Sequence, residues 1–304
     1  MITIRWCNYA LDELNRIWYN TDMETTKKYF EEFERLFHNE QICIDYLYNL
    51  RWKNGWRCPR CSHNEYWKVG DMKYKCKECG YQSTIISGTL LQRSHLSISK
   101  WLRSTWYVAN ETGCANALEM QNLIDLGSYH TALSVLNKIR IAISRCKKPK
   151  LKGTVIVDDV YIKSDNDGFS YHTFIAVEIK KNGYGQIRIE LHSETDYFSF
   201  IRRNIVNGST IQTKGLNIYA KVPDGYQLMV INKKSGSKIL LLIEDVVDEI
   251  LNRRLLGGRQ SSCSTSNYDL CLAECCFKFN RRNKKAESLF TEILRSALKP
   301  DKLL

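Results

Sequence analysis

The sequence predicts a mixed chain, α+β in class with an α/β-like C-terminal half, and three observations predict it. Apolar residues recur at helical spacing near the N-terminus. Two Cys-x-x-Cys pairs flank a strand-like stretch. Beyond residue 150 the pattern turns to β-branched strands separated by turn residues and helical runs. With 304 residues, 43% of them apolar, the chain can bury one good core and at least one smaller module.

Residues 1–50 read as a helical segment: Tyr29, Phe30, Phe33, Leu36 and Phe37 fall at three- and four-residue steps, followed by Tyr46, Leu47 and Leu50. Residues 51–87 contain the most specific motif, Cys58-Pro-Arg-Cys61 and Cys76-Lys-Glu-Cys79-Gly80, separated by the strand-like Tyr66 to Tyr74. Each hook turns tightly enough for both sulfurs to reach one zinc ion at ~2.3 Å, so the pattern is that of a zinc ribbon. Four thiolates leave no open coordination position, which makes the zinc structural. Arg57, Arg60, Lys68, Lys73, Lys75 and Lys77 surround the hooks and favour DNA over protein as the partner.

The net charge of +12 agrees with a polyanionic partner. The first residues lack a basic region followed by an apolar stretch, so the 12 cysteines are expected to be reduced and the protein intracellular, in cytoplasm or nucleoid for a bacterial host and in the nucleus for a eukaryotic one. The longest apolar run, Ile239 to Ile243, is far below the ~20 residues that span a bilayer, and no membrane role is expected.

Residues 88–150 are expected to be helical and basic. Cys114 to Ile124 and Tyr129 to Ile143 are two helical stretches joined by Asp125-Leu-Gly-Ser128, a turn with glycine as in helix-turn-helix units. The second stretch carries His130, Lys138 and Arg140 beside Leu133, Leu136 and Ile139 and could turn a polar face to the major groove. An ordinary helical hairpin fits the same pattern equally well. The charged run Arg145 to Gly153 reads as the main linker.

Residues 151–304 open with strands at Thr154 to Ile162, Tyr171 to Ile179 and Gln186 to Leu191, the last two joined by a Lys181-Asn-Gly-Tyr turn. A helix after a Ser193-Glu-Thr-Asp196 capping box, strands at Ser209 to Thr213 and Gln227 to Ile231, and helices at Ile239 to Leu256 and Asn267 to Arg282 follow. That order is the one expected of a ribonuclease-H-like domain. In the first strand Asp158 and Asp159 must face opposite ways, so only one can serve a given site. Glu274 is the only charge in Leu270-Cys-Leu-Ala-Glu-Cys-Cys-Phe277 and wants a metal or a partner. An ion pair with Lys278, one turn on, is the plain alternative. Cys271, Cys275 and Cys276 lack paired hooks and read as small core residues.

Taken in order, several motifs resemble bacterial insertion-sequence transposases with an N-terminal zinc ribbon, relatives of the eukaryotic Merlin elements. They are Tyr46-Leu-Tyr-Asn-Leu-Arg-Trp52, the four cysteines, Leu136-Asn-Lys-Ile-Arg140, Val157-Asp-Asp-Val-Tyr-Ile162, Gly208-Ser-Thr-Ile-Gln-Thr-Lys-Gly215 and Phe277-Lys-Phe-Asn-Arg-Arg282. The resemblance implies a DDE-type nuclease and strand transferase that binds the terminal inverted repeats of a mobile element as duplex DNA, as a homo-oligomer. It implies Asp158 as the first catalytic acid and Glu274 as the third, both holding magnesium. Where the family has aspartate in Thr-Asp-Gly, this chain has Lys214, which removes a ligand and places a cation in the metal site. Cutting is therefore expected to be impaired. Asp224 and Glu244 are the nearest replacement acids in sequence. A DNA-binding protein without nuclease activity is the alternative, and a zinc-ribbon scaffold that binds only protein is a third reading.

Overall fold

The computed structural model describes residues 27–163, 170–181, 183–191, 196–213, 221–230 and 267–300. The expected helix Ile239 to Leu256, together with Lys214 and Glu244, lies outside them. The chain forms two compact units: one takes residues up to Ile85 together with His95–Asn110, the other takes Ile86–Ser94 and Glu111 onward.

In the first unit α1 (residues 27–36) and α2 (Glu40–Arg51) precede a three-stranded antiparallel sheet of β1 (Tyr66–Gly70), β2 (Lys73–Cys76) and β3 (Gln82–Thr84), and α3 (Ile98–Asn110) closes the unit. Asn39 caps α2 by accepting from the Ile42 amide, which satisfies one of the donors a helix start leaves open. The carboxylate of Glu40, in the first turn of α2, accepts from the amides of Ile98 and Ser99 at 2.6 and 3.0 Å and so caps α3 as well. Trp106 on α3 donates from Nε1 to the Tyr29 carbonyl of α1, and Phe33 packs against its ring. The Tyr46 to Trp52 motif has a visible purpose: Trp52, the C-cap of α2, meets Tyr74 edge-on, Tyr48 packs tilted against the same ring, and the Tyr48 and Tyr66 hydroxyls meet at 3.0 Å. Arg51 donates to the carbonyls of Thr84 and Ile85, fastening α2 to the last ribbon strand.

The second unit begins with α4 (Ala117–Ile124), capped by Asn116, and α5 (Tyr129–Ser144), capped by Ser128. The turn between them takes its left-handed residue at Asp125, φ 55°; aspartate is among the few residues that tolerate that conformation. A five-stranded sheet follows, with β4 (Thr154–Lys163), β5 (Ser170–Lys180), β6 (Gly183–Leu191), β7 (Thr210–Thr213) and β8 (Gln227–Val230) in the order β6-β5-β4-β7-β8. The pairs β6–β5 and β5–β4 are antiparallel, β4–β7 and β7–β8 parallel. Gly183, at φ 120°, closes the β5–β6 hairpin in a conformation that strains any side chain.

Helix α6 (Tyr197–Asn204) covers one face of the sheet, where Val155, Val157, Phe174, Ala176, Phe200 and Ile201 are buried together. Its N-cap is Asp196, which accepts from the Ser199 amide. Helix α7 (Tyr268–Asn280) covers the other face through Cys271, Leu272, Cys275 and Phe279 against Ile175, Val177, Ile187 and Ile189. The last helix, α8 (Ala286–Ala297), buries Leu289, Phe290, Ile293 and Leu294, an i, i+1, i+4, i+5 stripe.

The run Arg145 to Gly153 does not separate two bodies. Helix α5 buries Val135, Leu136, Ile139, Ala142 and Ile143 and belongs to the unit that holds the sheet. Strand β6 is a sheet edge, and the Phe277 to Arg282 motif closes it: Asn280 accepts from the Ile187 amide at 2.7 Å and donates to its carbonyl at 3.0 Å, while Arg282 donates to Tyr184 and Gly185 and lies over the Phe279 ring. The expectation of uniformly reduced cysteines needs one correction, because Cys271 is disulfide-bonded; Cys275 and Cys276 are free and buried, as expected of small core residues.

Candidate functional site

The four ribbon sulfurs, Cys58, Cys61, Cys76 and Cys79, lie within 4.8 Å of one another. Across the hooks, Cys58 and Cys79 are 3.6 Å apart, as are Cys61 and Cys76. A tetrahedron of sulfurs ~2.3 Å from a central zinc has edges of about 3.8 Å, so the donor set fits the ion. The hooks are shaped by backbone: the Ser62 amide donates to the Cys58 carbonyl and Gly80, at φ 67°, donates to the Cys76 carbonyl.

Crowding four thiols has an electrostatic signature. For Cys58 burial acts upward, but the amides of Cys61 and Arg60 outweigh it and pull the thiol down to about 6. For Cys61 the His63 amide acts downward, but desolvation and the sulfurs of Cys79, Cys58 and Cys76 push the thiol up to about 12. One sulfur ionises readily and makes the next one harder to ionise, a conflict that a divalent cation resolves by favouring all four thiolates.

The ribbon surface is cationic and partly aromatic. Arg57, Arg60, Lys68, Lys73 and Lys77 are exposed and Lys75 is half-buried. Trp67 and Val69 stand out from β1 at 51% and 47% exposure, with the Lys77 ammonium over the Trp67 ring. Replacing Cys58 and Cys76 by serine together is expected to reduce bound zinc from one equivalent to none, read by elemental analysis; one equivalent persisting in that variant would overturn the assignment.

On α5 the exposed side chains are those of its first turns, Tyr129, His130 and Ser134. Lys138 is half-buried and donates to the Gln92 carbonyl at 3.2 Å. Arg140 corrects the expectation most clearly. It is 0% exposed, donating from Nε to Glu274 at 2.8 Å and from Nη2 to the Ala115 carbonyl at 3.0 Å, so it does not belong to a groove-reading face.

Glu274 is the other end of that contact. Its Oε1 accepts from the Ala115 amide at 2.9 Å and from Lys278 Nζ at 2.7 Å, its Oε2 accepts from Arg140, and it too is 0% exposed. Lys278 also donates to the Gly113 carbonyl. Burial acts to raise the Glu274 pKa, but Lys278 and Arg140 outweigh it and leave it below the usual carboxylate range. Both oxygens are thus committed to protein donors, two of them cationic, and a divalent ion would have to displace them. The partner proposed from sequence as the plain alternative, Lys278, is one of two.

Asp158 is 3% exposed on the central strand β4. It pairs in register with Ile175, which faces α7, whereas Asp159 pairs with Phe174, which faces α6. The two acids therefore stand on opposite faces, and Asp159 meets His172 at 2.6 Å, a partnership the sequence did not single out. Asp224 is exposed in the turn before β8. The register Thr154, Thr210, Gln227 puts that turn at the opposite end of the parallel strands from Asp158, at least about 13 Å along them, so Asp224 does not replace a missing ligand there. Among the described residues, the four cysteines are the one group of three or more His, Cys, Asp or Glu side chains arranged to hold an ion.

Residues 38–82 match the model of a transposase zinc-ribbon domain, a span that takes in α2 as well as the ribbon strands. Over 138 residues the chain is 25% identical to an "uncharacterized protein in transposable element ISH50" of Halobacterium salinarum; the match covers 44% of this chain and 46% of that protein. The matched stretch is thus about half the length of this curated relative. Both similarities are to proteins of mobile elements, and the match over residues 38–82 together with the four-cysteine cluster supports a structural zinc site. No helix among the described residues is long and apolar enough to cross a membrane.

Proposed function

We propose that the chain is a transposase-family protein that binds the ends of a mobile element as duplex DNA and does not itself cut them. The observation that carries the proposal is the four-cysteine centre, which lies in the segment similar to transposase zinc ribbons and is ringed by exposed cations. Cations so displayed neutralise phosphates and release condensed counterions, and the exposed N-terminal turns of α5 offer Tyr129 and His130 to a groove. The sheet order, three antiparallel strands followed by two parallel ones with Asp158 on the central strand, supports a ribonuclease-H-like reading of the second unit.

The described residues do not fit a magnesium site. Among the described residues no second or third carboxylate is arranged with Asp158, and Glu274 is held by Arg140 and Lys278. We therefore assign the acids no metal step. A protein retained for DNA binding accounts for both the intact zinc centre and the closed carboxylate.

Duplex DNA is expected to bind, and duplexes carrying terminal inverted repeats of a mobile element more tightly than others, with affinity falling steeply and log-linearly with salt. Anisotropy titrations across a salt series measure it. A salt-independent affinity, or none for any duplex, would overturn the proposal and leave the protein-scaffold reading.

A further inference from the structure

One cleft of the second unit has no role yet: about 1520 Å³ between the end of α5, the segment 147–149, strand β6 and helices α7 and α8. Eight cationic and four acidic side chains line it. Lys147, Lys148, Lys285 and Arg295 are exposed and in ion pairs with no acid among the described residues, whereas Arg203 and Arg281 are paired with Glu190 and Glu292. Positive charge is thus in excess along a concave wall.

The wall is also built. Arg188 is 4% exposed and donates to the carbonyls of Pro149 and Ile187, and Arg281 donates from Nη2 to the Lys147 carbonyl at 3.1 Å. These two guanidiniums hold the backbone of 147–149 against β6, and Lys147 and Lys148 line the cleft together with Lys285, the N-cap of α8, and Arg295 in its last turn. The Arg188 pKa is lowered, by burial first and with Arg281 adding to it, as expected where cations crowd. The inner wall includes Ile189, which shares a sheet row with Ile175 and Asp158, two strand spacings or roughly 10 Å from the acid.

We propose that this cleft is a second nucleic-acid surface, one that takes the phosphate backbone of duplex DNA independently of the ribbon. The inference rests on the DNA-binding reading above and adds the track by which the second unit engages the duplex. Phosphate contacts position a duplex without reading its sequence, so the cleft contributes affinity and orientation in place of specificity.

The test uses the full chain, its zinc in place, and a labelled 30-bp duplex of arbitrary sequence. Each phosphate contact contributes about 0.9 to the slope of log affinity against log salt. Lys148→Gln, Lys285→Gln and Arg295→Gln together are expected to make the slope shallower by about 2–3. A control variant removes the same charge from exposed positions outside the cleft, Lys180→Gln, Arg202→Gln and Lys221→Gln, and is expected to leave the slope near wild type. An unchanged slope in the cleft variant, or an equal loss in the control, overturns the cleft while leaving DNA binding by the chain intact. Failure of the wild type to bind any duplex overturns both.

Discussion

Glu274→Gln is expected to destabilise the C-terminal unit by about 3–5 kcal/mol, because it leaves the Arg140 guanidinium buried without its counter-charge. Glu274, Arg140 and Lys278 are 0%, 0% and 4% exposed, so solvent cannot replace the lost partner. The effect carries a pH signature. The folded state holds the Glu274 carboxyl below the usual carboxylate range, so the unfolded chain binds the proton more tightly. The stabilisation is complete above about pH 4.5 and is lost as pH falls through the lower, folded-state value. Urea midpoints of wild type and variant should therefore differ widely at neutral pH and converge in acid. Replacing the network as a whole, with Arg140→Met, Glu274→Leu and Lys278→Met, should recover much of the loss, since no buried charge is then left alone. A Glu274→Gln protein as stable as wild type would return the residue to the list of candidate metal ligands.

Much of this architecture is written in local pattern. The two hooks specify the ribbon because tetrahedral thiolate geometry tolerates few spacings, and β4, β5 and β6 are legible because β-branched runs are broken by turn residues. Pairing across long sequence separations was not legible. Arg140 and Glu274 are 134 residues apart, and nothing in either helix names the other. The helical period alone separates two of the candidates: at 100° per residue, Lys138 and Arg140 point to nearly opposite sides of α5 and cannot share one groove-facing surface. The linker misread has a similar source. Charge in Arg145 to Gly153 looked like solvent exposure, but Arg188 and Arg281 hold that backbone against the sheet. Helix α8 carries its own signal in the sequence, the stripe Leu289, Phe290, Ile293 and Leu294.

End-labelled duplexes incubated with the wild-type chain and magnesium or manganese are expected to remain uncut and unjoined. Two independent features lead there. The resemblance puts Lys214 where the family has its second acid, and an ammonium ~4 Å from a divalent ion repels it by ~8 kcal/mol at an effective dielectric of about 20. The structure commits Glu274, the expected third acid, to Arg140, Lys278 and the Ala115 amide. Removing only the first obstacle separates them. Lys214→Asp should strengthen manganese binding, measured by calorimetry or by the electron-spin signal of the free ion, because it exchanges repulsion for a ligand. Cleavage should stay absent, since Glu274 is still held by its cations. Recovery of cutting in Lys214→Asp would mean that the Glu274 network opens to release a ligand, and the addition of Glu274→Gln should then abolish it. Robust cutting by wild type that Asp158→Asn removes would refute the prediction outright and show that acids other than Asp224 complete a working site on β4.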